Sequence, residues 1–472
     1  MSLLKKMEFT DSPFQPYLNT GTLYDVQTGV FVPGTHGGAV LNGGFSNTNG
    51  FIGRQQMFKS TVMFSHEMRA MSYYPGSESY TLDTEFSLKK DRQARFSPYH
   101  NHADLCSRMV IQTPAFKTAE EFFEDIKKLA AEKLAHRDDY LVESPIIDPR
   151  TGKALMMLLP TFVNYDSWSK MFSSNMQTTF DTKTLGSSDT NMVYMRDGNI
   201  KKMIMTQLPT LGTRAGIYFM LSAHIGDKYE LNPYAPSPKS LQHMRASEKL
   251  KEVGSDFNFL VSNTLEMRTV QLLVDGEKEC LYPIPGGSDV ELSEVTAIMQ
   301  RGKNNMSGLQ LPLVVSQADG VLSDLTNYHY LKKNEYFGLL GNKNTHKPAM
   351  SDVSVGRTTI RQKLTDPKVA RTIELLAQLC YIQDNWVTTG TEVDFMMKPD
   401  LLAEKLLASD GPYLDDVTGS RGWWTYDKKN TQPYLSLYDV LAIAQGTYRA
   451  KGVSLAGMTT TKPPVVEKKK AA

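Results

Sequence analysis

Residues Gly53-Arg54-Gln55-Gln56-Met57-Phe58-Lys59-Ser60-Thr61 carry the spacing from which a phosphate-binding loop is made. The pattern G-x-x-x-x-G-K-[ST] is met at Gly53, Lys59 and Ser60, with Phe58 where the second glycine belongs. Such a loop surrounds phosphates with backbone N–H groups, and the positive end of the following helix adds to their attraction. In that chemistry Lys59 reaches the β- and γ-phosphates and the Ser60 hydroxyl binds Mg²⁺. The context suits the motif. A Gly/Asn-rich approach, Asn42-Gly43-Gly44 to Asn49-Gly50, leads into a short apolar strand, and Thr61 to Met68 reads as a helix. A glycine-containing turn before an ordinary helix would look similar, so the loop alone does not decide.

Three further polar groups end apolar runs downstream. Tyr80-Thr81-Leu82-Asp83 runs into Thr84-Glu85, Leu158 to Tyr165 runs into Asp166-Ser167, and Ala215 to Ala223 runs into His224. A Mg²⁺ ion bridging phosphates wants a hydroxyl and a carboxylate, and Ser60 and Asp166 supply them. An attacking water wants a carboxylate base, which is Glu85. A group that senses the γ-phosphate must hydrogen-bond toward it, which suits His224. Singly, a strand-terminal Asp reads as a helix cap and a lone His as a core residue. The ordered set of four reads as an ATP site. His100-Asn101-His102 has no Cys or carboxylate at ligand spacing and is not read as a metal site.

The elements that must position these groups follow from periodicity. Strands are expected at 80–86, 107–114, 158–165, 215–224, 257–263, 266–275, 279–284, 293–300 and 310–316. A helix is expected over 118–136, opened by a Thr118/Glu121 capping box, and another over 194–209 with Ile200, Met203, Ile204 and Leu208 on one face. Asp148-Pro149-Arg150-Thr151-Gly152-Lys153 marks a hairpin turn within 139–160. Residues 173–192, rich in Ser, Thr, Asn and Gly, read as a loop. From about 323 the chain turns helical, with helices at 366–385, 398–408 and 434–449 and Trp423-Trp424 in a connection, placed in core or interface. Strands alternating with helices, with polar groups at strand ends, indicate an α/β fold around an open, mostly parallel sheet that binds ligand at its carboxyl edge.

Composition sets the outer limits. A chain of 472 residues with 40% hydrophobic and 22% charged residues can bury a sizeable core. A net charge of +1 gives no global nucleic-acid signature but leaves room for a local basic patch. Cys106, Cys280 and Cys380 show no C-x-x-C spacing and read as reduced thiols. With no long apolar run and no signal-like start, a cytoplasmic protein is expected.

At this point the chain resembles the RecA-fold recombinase family, most closely its T-even phage members. That family has a phosphate loop in which Phe replaces the second glycine, as Phe58 does here. Tyr74-Pro75 with Leu82-Asp83-Thr84-Glu85-Phe86 resembles its segment whose Glu activates water, Tyr165-Asp166-Ser167 its metal-binding segment, and Ala223-His224 the switch between ATP and DNA. Thr20-Gly21-Thr22-Leu23 and Arg301-Gly302-Lys303 resemble two further family segments, the second a basic pair reaching the neighbouring subunit's ATP. The resemblance covers roughly residues 18–340. The 139–160 stretch is longer than the family's, and no tandem glycine follows His224.

The resemblance implies an N-terminal arm or adaptor (1–20), a RecA-like P-loop ATPase core (21–322), a smaller α-rich C-terminal domain (323–458) and a disordered basic tail (459–472). It implies ATP and Mg²⁺ as cofactors and a helical homo-oligomer on single-stranded DNA, serving recombination and repair with mediator and single-strand-binding proteins as partners. DNA would lie on the loops after Asp166 (Trp168, Lys170, Phe172, Lys183) and after His224 (Lys228, Tyr229, Lys239, His243, Arg245), aromatic rings stacking bases and cations holding phosphates. Two other readings share the core: a hexameric replicative helicase of the DnaB class, and a nucleotide-binding accessory protein without turnover.

Overall fold

The computed structural model describes residues 15–182, 190–228, 241–284, 291–305, 307–342, 344–385, 396–408 and 413–448. The sequence expectations for Lys183, Tyr229, Lys239, most of the N-terminal arm and the basic tail fall outside these residues.

The strands in chain order are β1 (Val30–Pro33), β2 (Ala39–Asn42), β3 (Thr48–Gly53), β4 (Glu78–Asp83), β5 (Met109–Gln112), β6 (Leu141–Ile147), β7 (Ala154–Leu158), β8 (Thr161–Asp166), β9 (Ile217–Asp227), β10 (Glu248–Leu250), β11 (Asn263–Leu272), β12 (Leu292–Gly302), β13 (Gln310–Ser316) and β14 (Gly320–Val321). The central sheet has ten strands in the order β14-β13-β12-β11-β3-β9-β8-β4-β5, with β10 added to the end of β9. The run from β11 through β3, β9, β8 and β4 to β5 is parallel, while β12, β13, β14 and β10 pair antiparallel. The fold is therefore α/β around a large, mostly parallel central sheet, as expected from the sequence.

The helices that matter below are α1 (Leu23–Thr28), α2 (Lys59–Tyr73), α3 (Ala119–Ala135), α4 (Thr190–Ala215), α5 (Ser255–Leu260), α6 (Ser323–Lys333), α7 (Pro367–Asp384), α8 (Pro399–Ala408) and α9 (Leu437–Ala444). None of the described helices is long and apolar enough to cross a membrane.

Central strands are apolar on both sides because both sides are covered. Successive residues point to opposite faces, so each strand contributes to two cores. Phe51, Phe162, Tyr218 and Met220 join the upper core, under α2, while Ile52, Val163, Ile217, Phe219 and Leu221 join the lower core, under α3 and α4. The first cluster does not stop at the sheet. It continues through Leu325, Leu376, Leu402, Trp424 and Leu441, so the C-terminal helices pack into the same apolar mass as α1 and α2. Trp423 stacks on Tyr73 with ring centroids 3.7 Å apart, and Trp424 is buried against Tyr74, as a core assignment requires.

Several expectations hold in detail. The Thr118/Glu121 capping box is formed at the start of α3, and β6 with β7 makes the expected hairpin around Asp148. Others need correction. Residues 173–192 are not all loop: Ser174–Thr182 is helical, with Glu120 accepting from Ser174 N at its start and the Thr178, Thr179 and Thr182 hydroxyls donating to the carbonyls four residues back. The expected strand at 257–263 is largely α5, whose Phe257 turns into the lower core with Val261; a short apolar run fits either period. The expected strand at 279–284 reduces to one bridge, Val274 to Cys280, because Asp275 gathers the Glu277 and Glu279 N–H groups into a turn. The last helix spans only Leu437–Ala444, since Ser436 caps it with Asp439. The region after 323 also holds a small three-stranded sheet, Leu339–Gly341, Thr345–Pro348 and Val355–Gly356.

Candidate nucleotide-binding site

Sheet order brings the four strand ends together. Strands β4, β8, β9 and β3 are consecutive neighbours, with Asp83 opposite Asp166 and Gly53 opposite His224. The outer two are thus about 14 Å apart, three inter-strand spacings.

Gly53 closes β3 with its α-carbon against β11. A Cβ there would lie 2.9 Å from the Met267 carbonyl oxygen, so the loop's first glycine is required by close approach. The loop ends at Phe58, the N-cap of α2, with φ 59° and ψ 20°. That is the left-handed region in which glycine is at ease, and Gln56 also has φ 61°. The residue that departs from the motif therefore adopts the backbone that the motif's glycine serves. Its ring rests against the upper core, and its carbonyl accepts Val62 N–H at 2.8 Å to begin the helix. No side chain caps α2, so its first N–H groups face the loop.

Lys59 is buried, and burial pushes its ammonium below the usual range while Glu85 and Asp166 oppose this. Its Nζ donates to the Arg54 carbonyl at 2.9 Å. Ser60 Oγ donates to Asp166 Oδ1 at 3.0 Å, and Ser222 Oγ donates to the same oxygen at 2.5 Å. Burial raises the Asp166 carboxyl to about 6, the two hydroxyls pulling the other way. Asp166 Oδ2 is buried with no hydrogen-bond partner. An oriented carboxylate with an orphaned oxygen beside a serine hydroxyl fits a divalent cation held by Ser60 and Asp166. Among the described residues no group of three or more His, Cys, Asp or Glu could hold a metal ion. An ion here would take its other ligands from phosphate and water, as Mg²⁺ does.

Glu85 follows β4 on a turn whose N–H groups are held by Asp83, which accepts from Glu85 N and Leu88 N. The His224 ring donates through Nε2 to Glu85 Oε1 at 2.7 Å, and this bond, against some burial, holds Glu85 below the usual carboxylate range. The His224 backbone is fixed between Ser169 Oγ, which accepts its N–H, and Lys251 N, which donates to its carbonyl. Thr84 and Ser167 cross-link the two strand ends: Ser167 N donates to Thr84 Oγ1, and Thr84 Oγ1 to the Ser167 carbonyl. The Asp166–Ser167 peptide is cis.

Sequence reasoning missed two contributors and, beside the site rather than in it, two carboxylates. Ser222 lies inside an apolar run, and its only signal was being two residues before His224, on the same strand face. Asn164, two residues before Asp166, donates to Glu67 Oε1, Ser79 Oγ and Thr81 Oγ1, tying α2 to β8 and β4. Asp227 and Glu248 both pair with Arg54.

The remaining expected residues are more scattered. Arg54, Gln55, Gln56, Met57 and Thr61 lie on the loop and first turn around the strand-end groups. Trp168 is a correction as a base-stacking residue: it is buried against Tyr165, ring centroids 5.0 Å apart, and presents no face to a ligand. Lys170 and Arg245 are exposed at the strand-end side of the sheet, near Glu252 and Glu248. Lys228 N donates to the Ser247 carbonyl at the base of the β9–β10 hairpin. The His243 carbonyl accepts from Arg268, and the Phe172 carbonyl from Ala119 N. Arg301 and Lys303 lie apart from all of these. β12 runs antiparallel, so Arg301 faces Thr264, which faces Gly50, three residues before Gly53 toward the amino-terminal edge of the sheet. Arg301 donates to the Asn258 carbonyl on α5, and Lys303 is exposed.

No protein-family model matches this sequence, and no curated protein matches it. Among solved structures, the chain is similar to the crystal structure of the RadB recombinase at a TM-score of 0.32 and 12% identity, over 59% of this chain and 92% of that one.

Proposed function

We propose that the chain is an ATP-dependent DNA recombination protein of the RecA type that assembles on single-stranded DNA and hydrolyses ATP at the β3–β4–β8–β9 strand ends. The observation that carries this is the convergence there of an uncapped helix start, a lysine bonded only to loop backbone, an orphaned carboxylate oxygen beside a serine hydroxyl, and a carboxylate–histidine pair. A divalent ion held by Ser60 and Asp166 would supply charge neutralisation of the phosphates. Lys59 would exchange the Arg54 carbonyl for a phosphate oxygen. Glu85, ionised at neutral pH, would accept a proton from the attacking water. His224, bonded to Glu85, would register whether the γ-phosphate is present and pass that state along β9 toward the DNA-facing segments.

Lys170, Lys228 and Arg245, with Lys183, Tyr229 and Lys239, supply the cations and ring for a backbone-tracking DNA contact. The position of Arg301 and Lys303, two strands across from β3 and displaced from the phosphate loop toward the amino-terminal edge, supports completion of the site in trans, each subunit's pair meeting its neighbour's phosphate loop in a head-to-tail assembly. The test is ATP turnover with and without single-stranded DNA, together with electron micrographs in the presence of an ATP analogue. Stimulated turnover on helical filaments supports the proposal. Closed rings would replace it with the helicase reading, and nucleotide binding without turnover with the accessory-protein reading.

A further inference from the structure

Arg54 is the first residue after β3, and its guanidinium leaves the phosphate loop for the β9–β10 hairpin. Its Nη2 lies 2.5 Å from Asp227 Oδ1, and both Nε and Nη2 lie 3.2 Å from Glu248 Oε1. Asp227 and Glu248 are directly opposed residues of the antiparallel β9–β10 pair. One side chain of the phosphate loop therefore grips both legs of the hairpin across a single rung, at the point where the legs diverge into segment 228–247.

We infer that Arg54 couples nucleotide occupancy to the conformation of the β9–β10 hairpin. The inference rests on the proposed nucleotide site, and adds a side-chain link to both legs besides His224, which meets the β10 leg only through its backbone carbonyl. Lys59 Nζ now donates to the Arg54 carbonyl. A phosphate that recruits Lys59 removes the partner of that carbonyl and frees the Arg54 peptide to turn. The Arg54 side chain cannot turn alone. The Glu248 side chain is 4% exposed, its Oε2 has no hydrogen-bond partner, and of its other nearby cations Arg245 is 3.7 Å away and largely exposed while Arg268 is bound to Glu266. Removing Arg54 would strand a buried carboxylate, which costs far more than moving with it. Displacement of the loop is thus transmitted to β10 through Glu248 and to β9 through Asp227. The reciprocal also holds: whatever fixes the hairpin biases the loop.

The experiment uses the full chain and hydrogen–deuterium exchange of peptides spanning 224–250, with and without Mg²⁺ and a non-hydrolysable ATP analogue, in the native protein, Glu248→Gln and Asp227→Asn. Binding of a fluorescent nucleotide is measured in parallel. The expected result is a nucleotide-dependent change in hairpin exchange in the native protein that shrinks at least ~3-fold in both variants, nucleotide affinity staying within ~3-fold. Asp227→Asn, at a side chain 58% exposed, keeps the test alive if the buried Glu248 variant fails to fold. Undiminished change in the variants overturns the coupling, as does an unresponsive hairpin in native protein that binds nucleotide. Failure of native protein to bind nucleotide instead overturns the site reading, and the coupling with it.

Discussion

Phe58→Gly and Phe58→Ala, compared with one another, test the geometry of the phosphate loop without any ligand. Both remove the same ring and its contacts with the upper core, so that loss cancels between them. What remains is the backbone at φ 59°, ψ 20°. An L-residue held there costs ~1–2 kcal/mol relative to glycine. Glycine gives back ~0.5–1 kcal/mol through the greater entropy of its unfolded chain. The glycine variant should therefore be more stable than the alanine variant by ~1 kcal/mol, reversing the order of ~1 kcal/mol in favour of alanine at an ordinary helical position. For a protein of this size that gap is a separation of only ~1 °C between paired thermal melts. Chemical denaturation of both variants gives the same comparison through their midpoints. If alanine equals or exceeds glycine, position 58 is not left-handed, and Phe58 does not occupy the backbone of the motif's second glycine.

Four further outcomes are expected. Lys59→Ala should abolish ATP turnover, since among the described residues of the loop, 53–61, it is the buried cation; full turnover would sink the site assignment. Glu85→Gln should bind nucleotide and fail to hydrolyse it, and loss of binding would make Glu85 structural instead. Glu67, buried and raised by burial from 4.5 to about 7, stabilises the fold in its protonated form below pH 4.5 and loses that contribution as pH rises through 7. This rise corresponds to a ceiling of ~3 kcal/mol, so Glu67→Gln should gain on the native protein between pH 5 and pH 8 in denaturation midpoints, and a pH-independent gap would refute it. Equal mixtures of Lys59→Ala and Arg301→Ala chains, each inactive alone, should recover ~1/4 of native turnover, because one in four head-to-tail junctions pairs an intact loop with an intact arginine. No recovery would place Arg301 outside the in-trans site.

What was legible in the sequence depended on whether a residue's role is local. Gly53, Lys59 and Ser60 announce themselves by spacing, and Asp166, Glu85 and His224 by ending apolar runs. Helix α3 was readable because its capping box lies within four residues of chain. Ser222 was hidden, because its partner Asp166 is set by the β8–β9 register, which no local pattern encodes. The same holds for Glu67 and Asn164, 97 positions apart, and for Arg54 and Asp227, 173 apart. Trp168 was misplaced for a related reason: composition after a strand suggests a surface loop, but the short 3₁₀ turn Trp168–Lys170 folds the indole under Tyr165. Helix Ser174–Thr182 was missed because Ser, Thr and Asn, which favour caps and turns, dominate its sequence.

The shared core between the first strands and the last helices sets the order in which this protein can be made. Trp424 N donates to Asn19 Oδ1, closing a contact across 405 positions, and Asp439 accepts the Ala39 N–H from the β1–β2 hairpin. At ~5–20 residues per second, a ribosome that has released Asn19 needs ~20–80 s to deliver its partner. Through that interval Tyr74 lacks the Trp424 and Tyr426 rings that pack on it in the finished fold. Residues 15–45 are thus the first described part of the chain to be synthesised and among the last to be enclosed, which makes them the natural hold for a chaperone during synthesis.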